Sequence, residues 1–554
     1  MCCLAAAAIA VLVPLFPAAQ EQVQQVQRHN AHAAAQSSAK PLSKAEQERA
    51  RQALETAQAR AGGFEAPLRA FVDLQIGETY AGFDPAQAVQ ALRAAFSASV
   101  EIDPGEDFQK QQLKSGLQRS ALEGLLPLAP GQVEELLPQA EREPRARVSV
   151  TLVERAIEKK DFDDALARID QVAAADEFPY DAATALMLEL PAERGPDFQS
   201  LFARAAASYQ QHEHKGINIG GEDLATMVIR FWRRLPPHTV QAAIDELLKQ
   251  AKGGEKGAIA IGGAQGAAGF SSDYEYRLFQ VLPVLEQLDP ERAKSLLADD
   301  QQLRAVMDKY PQGLQSLDPG LRDTPRTAGE KSQLYMMASG GGESSAEDLL
   351  RAQLREREQQ IVKDSAKDPR QAIAAAAGLP GSLRGMTFKS QALEGIARAN
   401  LKRNPSAAKD ALDELRKSLE GLPLREQATY LSTAADLYLQ LGEKDTAEKT
   451  VGEGLKIADK LFQEDSDAND PNQALKAYWP SADAWRRFLG VANKISPRLA
   501  LTGLKEISDP EMRTIESIYL ARAWAGVPLG MTVVAVQNKK GNWIMMGLAD
   551  KDKE

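Results

Sequence analysis

The two histidines that lie closest together are His212 and His214, separated by Glu213, and side chains of these types could bind a metal ion. Metal ligands on a helix must share one face, and residues two apart do not. No third ligand is identifiable, and His29 and His32 lie in a Gln- and Ala-rich stretch. We interpret the pair as part of a surface loop and predict no metal site.

A glycine-rich run near the middle of the chain has the composition of a phosphate-binding loop. It contains Gly262, Gly263, Gly266 and Gly269. It lacks the Lys-Ser/Thr that would contact a phosphate, and no alternation of strand and helix surrounds it. The pattern favours a flexible loop, and we predict no cofactor.

Paired carboxylates could perform acid–base chemistry, and two candidate pairs are Glu134-Glu135 and Asp299-Asp300. Such pairs are frequent in a chain with 77 acidic residues, and neither lies in an aromatic or Gly-rich context that would shape a cleft. The sequence also lacks the Gly-x-Ser-x-Gly and His-Glu-x-x-His motifs of known hydrolases. We predict solvated helix faces here, no catalytic residues, and a protein that is not an enzyme.

Aromatic residues form the more informative cluster. Four of the five tryptophans lie close to the C-terminal end, together with Tyr478 and Tyr519: Trp479, Trp485, Trp524 and Trp543. Exposed Trp and Tyr side chains can anchor a peptide in a groove. The alternative, which the pattern favours, is that these rings fill the core of the last helices.

Two tryptophans are each followed by two arginines, which indicates equivalent positions in a repeat. They are Trp232, in Phe231-Trp232-Arg233-Arg234, and Trp485, in Trp485-Arg486-Arg487. If these rings are exposed, they are the residues that we expect to contact a partner. Trp232 and Trp485 are therefore the predicted partner-binding residues.

The helices that must position these residues share one start pattern, in which a short polar residue precedes proline. The side chain of Asp, Asn or Ser can accept a hydrogen bond from a free amide of the first turn, and proline fits there because its missing N–H is not needed. The pattern predicts five helix starts: Asp84-Pro85, Asp289-Pro290, Asp368-Pro369, Asn404-Pro405 and Ser496-Pro497.

Weaker equivalents at Phe162, Pro237 and Lys444 complete a set of eight predicted starts. Several gaps between them are close to one or two units of about 36–39 residues, the length of two helices with their turns. The composition agrees, since only 6% of the residues are aromatic and helix-favouring residues are abundant. We predict an all-α fold built as a helix-turn-helix repeat solenoid.

One unit resembles a known family, the tetratricopeptide repeats. The resemblance rests on five residues with that family's spacing: Leu437, Tyr438, Leu441, Gly442 and Ala447. It implies a tight turn at the glycine, a close helix crossing at the alanine, and binding of proteins rather than catalysis. Gly454 departs from the family, which prefers Ala at that position.

Both ends of the chain differ from the repeats. An apolar run ending near Ala19 is typical of a cleaved export signal, and it contains both cysteines, Cys2 and Cys3. The mature chain would then have neither disulfides nor thiolate metal sites, and we expect a periplasmic or secreted protein. At the other end, residues 532–536 and 543–546 alternate like the strands of a β-hairpin, which we expect to cap the open end of the solenoid.

These features predict six segments. They are a signal peptide (1–19), a flexible tether with a lead-in helix from Ser43 to Ala61 (20–62), an N-terminal repeat array with a mobile Gly-rich insertion at 251–272 (63–338), a Gly-rich linker (339–345), a C-terminal tetratricopeptide-like array (346–530), and a β-hairpin cap and tail (531–554).

The predicted function is that of an exported, non-enzymatic protein that binds a protein or peptide in the bacterial envelope. The net charge of −11 makes nucleic acid a poor partner, and we expect no membrane span in the mature chain. Two alternatives remain open. One is an envelope scaffold that assembles through the C-terminal hairpin, and the other is a cell-wall or glycan-processing enzyme, which only the Trp-rich end and scattered carboxylates favour.

Overall fold

The structure of the protein is a computed structural model that describes residues 43–175, 178–211, 222–252, 259–263, 266–298, 300–317, 335–336, 346–381, 387–468, 476–527, 534–537 and 543–546. These residues are mostly helical and form two compact units. We call the described residues of 149–341 the inserted unit, and those of 42–148 and 342–554 the split unit.

The first described helices belong to the split unit. They are α1 (Lys44–Ala61), α2 (Ala66–Tyr80), α3 (Pro85–Val100), α4 (Phe108–Leu125) and α5 (Pro130–Leu136). The next helix, α6 (Arg142–Glu158), contains the division between residues 148 and 149.

The inserted unit contains nine further helices and three strands among the described residues. They are α7 (Phe162–Ala175), α8 (Tyr180–Glu189), α9 (Gly195–Gln211), α10 (Leu224–Phe231), α11 (Pro237–Lys252), β1 (Ile259–Gly263), β2 (Gly266–Phe270), α12 (Asp273–Leu288), α13 (Pro290–Ala298), α14 (Gln301–Lys309), α15 (Leu314–Leu317) and β3 (Tyr335–Met336).

The C-terminal part of the chain completes the split unit. Its elements are α16 (Ala346–Asp364), α17 (Pro369–Ala377), α18 (Phe388–Asn400), α19 (Pro405–Ser418), α20 (Leu424–Gln440), α21 (Lys444–Ala468), α22 (Pro480–Ile495), α23 (Pro497–Glu506), α24 (Pro510–Trp524), β4 (Val534–Gln537) and β5 (Trp543–Met546).

All eight predicted helix starts are confirmed, and they begin α3, α7, α11, α13, α17, α19, α21 and α23. The caps form as expected: Asp84 accepts a hydrogen bond from the Gln87 amide at 3.3 Å, and Asn404 accepts one from the Ala407 amide at 3.2 Å. A further start of the same kind, at Asp509, begins α24. The eight starts all fall on odd-numbered helices, which are the second members of successive helix pairs.

The C-terminal helices of the split unit pack as a repeat array. From α16 to α24 each helix packs on the next one, and the even-numbered helices also pack on one another, α16 on α18, α18 on α20, α20 on α22 and α22 on α24. Contacts confined to the nearest neighbours are the defining property of solenoid repeats. The predicted all-α, helix-turn-helix repeat fold is confirmed.

The turn between α20 and α21 has the predicted geometry. Gly442 has a φ of +80°, a conformation that side chains disfavour, and the Glu443 amide donates to the Tyr438 carbonyl at 2.9 Å. Tyr438 and Ala447 are fully buried. The tight turn and the close helix crossing expected here are therefore present.

The helices from α1 onwards continue this same array. The helices α1 and α2 both pack on α24, and α2 then packs on α3 and α4. The even-numbered row thus runs from α22 and α24 directly to α2 and α4. α1 lies between α24 and α2, in the place of the odd-numbered helix that would follow α24. We call the contacts between α24 and the pair α1–α2 the seam.

This arrangement differs from the predicted domain division. Sequence order placed residues 63–338 in one N-terminal array, whereas the helices up to residue 148 pack with the C-terminal helices and the rest forms the inserted unit. The predicted lead-in helix is also part of the array. Its start at Ser43, with a reciprocal capping box to Glu46, and its end at Ala61 are confirmed.

The Gly-rich insertion is a sheet, and the prediction of a flexible loop was wrong for its described part. β1 and β2 pair antiparallel, and β3 pairs with the other edge of β1. Ile261 and Phe270 are buried, and the Tyr310 hydroxyl donates to the Ala267 carbonyl at 3.0 Å. Buried side chains and this hydrogen bond fix the segment to α12 and α14.

The predicted C-terminal hairpin is confirmed. β4 and β5 pair antiparallel, from Val534 opposite Met546 to Gln537 opposite Trp543. β4 lies against α4, whereas α24 is covered by α1 and α2. The predicted signal peptide, most of the tether and the Gly-rich linker at 339–345 lie outside the described residues.

Candidate functional site

Four of the five buried charged residues described in the split unit lie on α22, α24 and α2, three neighbours in the even-numbered row. The fifth, Asp465 on α21, accepts a hydrogen bond from the Ser481 amide at 2.8 Å. Arg486 lies on α22, Glu516 and Arg522 lie on α24, and Asp73 lies on α2, and all four side chains are buried. We call these four residues the buried charge cluster. Charges of this kind need partners in the core because burial removes their hydration.

The pair at its centre joins α22 to α24. The Arg486 Nε donates to the Glu516 Oε1 at 3.0 Å, and the same guanidinium donates to the Ala477 carbonyl. Glu516 has no exposed surface, and burial raises the pKa of its carboxyl from the ordinary 4.5 to about 7, against the opposing effect of Arg486. This carboxyl can exchange a proton near neutral pH, yet it is too enclosed to touch a bulky substrate.

Several polar atoms around this pair have no hydrogen-bond partner among the described residues. They are Tyr478 Oη, Trp479 Nε1, Ser481 Oγ, Arg486 Nη1 and Glu516 Oε2. Each buried polar atom left in this way costs about 1–3 kcal/mol. Four of these five atoms, all but Glu516 Oε2, belong to hydrogen-bond donor groups.

A second part of the cluster crosses the seam. The Arg522 Nη1 on α24 donates to the Gln75 Oε1 at 2.9 Å and to the Glu78 Oε2 at 2.7 Å, both on α2. The rings of Phe71 and Tyr478 meet edge to face at 5.8 Å. These contacts join residues from the two ends of the described chain.

Asp73 is the acidic member on α2. Burial raises the pKa of its carboxyl from the ordinary 3.8 to about 6, and the neighbouring Arg69 opposes this effect. Two carboxyls with raised pKa values therefore lie on the helices that form the seam, Asp73 on α2 and Glu516 on α24.

Trp485 is a core residue and does not fit its predicted role in partner binding. Its side chain is 2% exposed and lies 5.4 Å from the ring of Phe462, which also contacts Trp479. Trp524 is likewise buried and donates to the Asn493 side chain at 2.8 Å. The alternative, that these rings fill the core of the last helices, fits Trp479, Trp485 and Trp524, which are all buried. The side chain of Trp543 lies outside the described residues.

Trp232 lies in the inserted unit, at the start of a short 3-10 turn after α10. It is half-buried, and the guanidinium of Arg233 stacks 4.7 Å from its ring. Trp485 lies inside a helix, so the two Trp-Arg-Arg sequences do not occupy equivalent positions. Partner binding by Trp232 stays a prediction.

The inserted unit has its own buried ion pair, and that pair is well partnered. Arg277 donates to the Asp223 carboxylate and, at 2.9 Å, to the Gln280 Oε1. Asp223 caps α10 by accepting from the Thr226 amide at 2.9 Å. Because these groups satisfy one another, they serve to hold α10 on α12.

The remaining sequence candidates give no site. His29, His32, His212 and His214 lie outside the described residues, and His238 is exposed at the start of α11. Among the described residues, no group of three or more His, Cys, Asp or Glu side chains could hold a metal ion.

The predicted solvated helix face is present for the first acidic pair, whereas Asp300 of the second pair is a half-buried helix cap. Glu134 and Glu135 are exposed, and Asp300 caps α14 by accepting from the Leu303 amide at 2.7 Å. Membrane crossing is a separate question. None of the described helices has both the length and the apolar character needed to cross a membrane.

Sequence reasoning missed the buried charge cluster. Asp73 is hundreds of residues away from the other three members, and Arg, Glu and Asp within a helix are usually solvated. The only available signal was positional, because Arg486 and Glu516 stand among the apolar residues of α22 and α24.

The chain matches no protein-family model and no curated protein. Among solved structures it is similar to one titled "Circular tandem repeat protein with novel repeat topology and enhanced subunit contact surfaces", with 13% identity over 86% of this chain and 96% of that chain. The TM-score is 0.14, too low for an inference about fold or function.

Proposed function

We propose that this chain is an exported, non-enzymatic helical-repeat protein of the tetratricopeptide-like type that binds a protein or peptide partner in the bacterial envelope. The supporting observation is the even-numbered row from α16 through α24 to α2 and α4, in which successive helices lie side by side. Arrays of this kind present extended surfaces made from many repeats, and a peptide can lie across them.

The tetratricopeptide assignment rests on the α20–α21 pair. The turn at Gly442 and the burial of Tyr438 and Ala447 support it. The 25 residues of α21 depart from it, since a repeat of about 34 residues holds two helices and their turns. The proposed type is therefore a relative of that repeat with one elongated helix.

Export rests on the N-terminal apolar run, with cleavage near Ala19. The test is to express the whole chain in a bacterium with a C-terminal tag and to sequence the N-terminus of the periplasmic protein. A mature chain that begins close to Gln20 supports export, whereas an uncleaved cytoplasmic chain contradicts it.

Partner binding is tested with the chain from Gln20 as bait in an envelope extract of the source organism, followed by mass spectrometry. The proposal expects one stoichiometric partner whose retention falls when Trp232 is replaced by Ala. His238→Ala is the matched control, since it changes an exposed side chain close by in the same unit. Circular dichroism must show unchanged helicity, and retention of only glycan would contradict the proposal.

A second candidate function, an assembly scaffold, is favoured by the hairpin. β4 and β5 pair only with each other among the described strands, so each has an edge at which another strand could add. Deleting residues 531–554 distinguishes the two functions. Partner retention survives this deletion if the helices bind the partner, whereas hairpin-mediated assembly is lost.

A further inference from the structure

The seam is the one joint of the described array that has no short covalent link. The helix α24 ends at Trp524, and α1 begins at Lys44, so the residues that meet there are far apart in sequence. Elsewhere in the array, adjacent helices follow one another along the chain. The seam is therefore an interface between two blocks, α1–α5 and α16–α24.

The contacts of the seam are those of a specific interface. α1 buries a stripe of small and apolar residues, Ala50, Leu54, Ala57 and Ala61. The bonds from Arg522 to Gln75 and Glu78 fix the register of α2 against α24. At one end, a Cβ built on Gly82 would lie 3.1 Å from the Val527 Cγ2.

The two faces of the seam are different surfaces, so the interface is heterologous. One face belongs to α24 and the other to α1–α2. A heterologous interface within one chain can form equally between chains, because a second copy carries the same α1–α2 face. From this geometry we propose that the seam exchanges between copies, so that α1–α2 of one molecule dock on α24 of another.

The exchange requires the loss of the seam and of the contact between β4 and α4, and a second copy offers both surfaces again. In repeat arrays the stability is approximately a sum over repeats and neighbouring interfaces, so one interface can open while the others persist. The exchanged form regains the same apolar burial and the same ion pair. The population of the exchanged form rises with protein concentration. Within one molecule α1–α2 are present at a high effective concentration near α24, and the α1–α2 of a second copy must compete with them.

Disulfide trapping tests this with the full mature chain. Both cysteines of the sequence, Cys2 and Cys3, precede Gln20, so a chain from Gln20 contains none. One copy carries Gly82→Cys and a second, mass-tagged copy carries Val527→Cys. The two are mixed and oxidised, and a disulfide between positions 82 and 527 of different copies forms only through an exchanged seam.

The control mixture pairs Val527→Cys with Gly131→Cys, a position on α5 whose Cβ would meet no atom within 4 Å. We expect the 82–527 mixture to give a mixed disulfide dimer in excess over the control, with a yield that rises with protein concentration. A single chain with both substitutions should form the bond internally and, once oxidised, no longer exchange.

Two results would overturn the proposal. In the first, the double variant closes its internal disulfide, while the mixture never exceeds the control at any concentration or after incubation in moderate urea. The seam is then real but does not exchange. In the second, the double variant fails to close, and the seam contacts themselves are contradicted.

Discussion

Two joints of the same array are held in different ways. In the joint formed by α19, α20, α21 and α22, the closest approach is apolar, with Gly454 against the ring of Phe488. Its ion pairs, such as that between Arg416 and Glu453, are partly exposed. At the seam the ion pair is buried, since the side chain of Arg522 is only 4% exposed.

Connectivity separates these two joints, although a buried pair, Arg486–Glu516, also joins α22 and α24 within the continuous part of the array. Where helices follow one another in the chain, the linking residues set their order and approximate register. Complementary packing of apolar side chains is then enough to fix their final alignment. At the seam no linker sets the register, and directional hydrogen bonds from Arg522 to α2 take its place. A buried ion pair contributes little net stability, and we infer that this one selects the correct alignment of α2 on α24, since a shifted register would leave its charges unpaired.

The largest expected effect is the loss of the seam pair. Arg522→Leu removes the guanidinium that donates to both Gln75 Oε1 and Glu78 Oε2. We expect about 3 kcal/mol of destabilisation, since breaking a buried pair costs about 3–5 kcal/mol and Glu78 is partly exposed. Arg416→Leu, which breaks the partly exposed pair, should cost about 1 kcal/mol or less. Urea unfolding measures the stability loss of both variants, and hydrogen exchange of α1 reports on the seam. Equal losses of stability in the two variants would contradict the difference between the two joints.

The next effect is a pH dependence of the seam helices. Burial raises the pKa of Glu516 to about 7 and that of Asp73 to about 6, so folding favours the protonated forms. This stabilisation is complete below the ordinary values of 4.5 and 3.8, and it is lost as the pH rises through 6 and 7. We expect the split unit to lose on the order of 2 kcal/mol between about pH 5 and pH 8.

The control for this pH dependence is Glu516→Gln, which keeps the shape of the side chain without its titration. Thermal unfolding of the variant should vary less with pH than that of the natural chain. An unchanged slope would show that Glu516 does not titrate in this range.

A smaller effect tests whether close apolar packing holds the joint formed by α19, α20, α21 and α22. A Cβ at position 454 would lie 2.0 Å from the Phe488 ring, whereas one at position 452 on the same helix would meet nothing within 4 Å. Gly454→Ala should therefore destabilise the split unit by about 1 kcal/mol, because overpacking outweighs the gain in helix propensity. Gly452→Ala should stabilise it by up to about 1 kcal/mol, because only the gain in helix propensity applies there. Thermal melts of the two variants decide, and equal shifts would contradict the close packing.

The smallest effect concerns the first helix of the seam. Ser43→Ala removes the capping box with Glu46, which should destabilise α1 by about 1 kcal/mol. Hydrogen exchange should quicken in the first turn of α1 and leave α20 unchanged. A change that spreads over the whole split unit would show that α1 controls the unit instead of fraying locally.

Local chemistry made much of the helix pattern predictable. The eight starts depend on a polar cap and its first-turn amide, and the turn at Gly442 depends on one backbone conformation. The Gly-rich segment was predicted wrongly because its strand is completed by β3, more than 60 residues later, and by burial against α12 and α14. Gly454 looked like a departure from a family pattern, and only the position of Phe488 explains it.

The candidate site was the least predictable part. Trp485 has the residue type of a binding anchor, and nothing in the local sequence shows that Phe462 and its neighbours enclose it. The buried charge cluster joins residues from α2, α22 and α24, and their meeting depends on which faces pack together.

The sequence by itself determined where the helices begin and turn, that they form a repeating array, and that a hairpin lies near the C-terminal end, because these features depend on residues a few positions apart. Only the tertiary structure decided that α1 and α2 complete the array at α24, that Arg486 and Glu516 pair in the core, and that the inserted unit interrupts the split one in sequence. The seam joins residues that are hundreds of positions apart, and the Arg486–Glu516 pair depends on which faces of α22 and α24 pack together. A single sequence carries no local signal of such meetings.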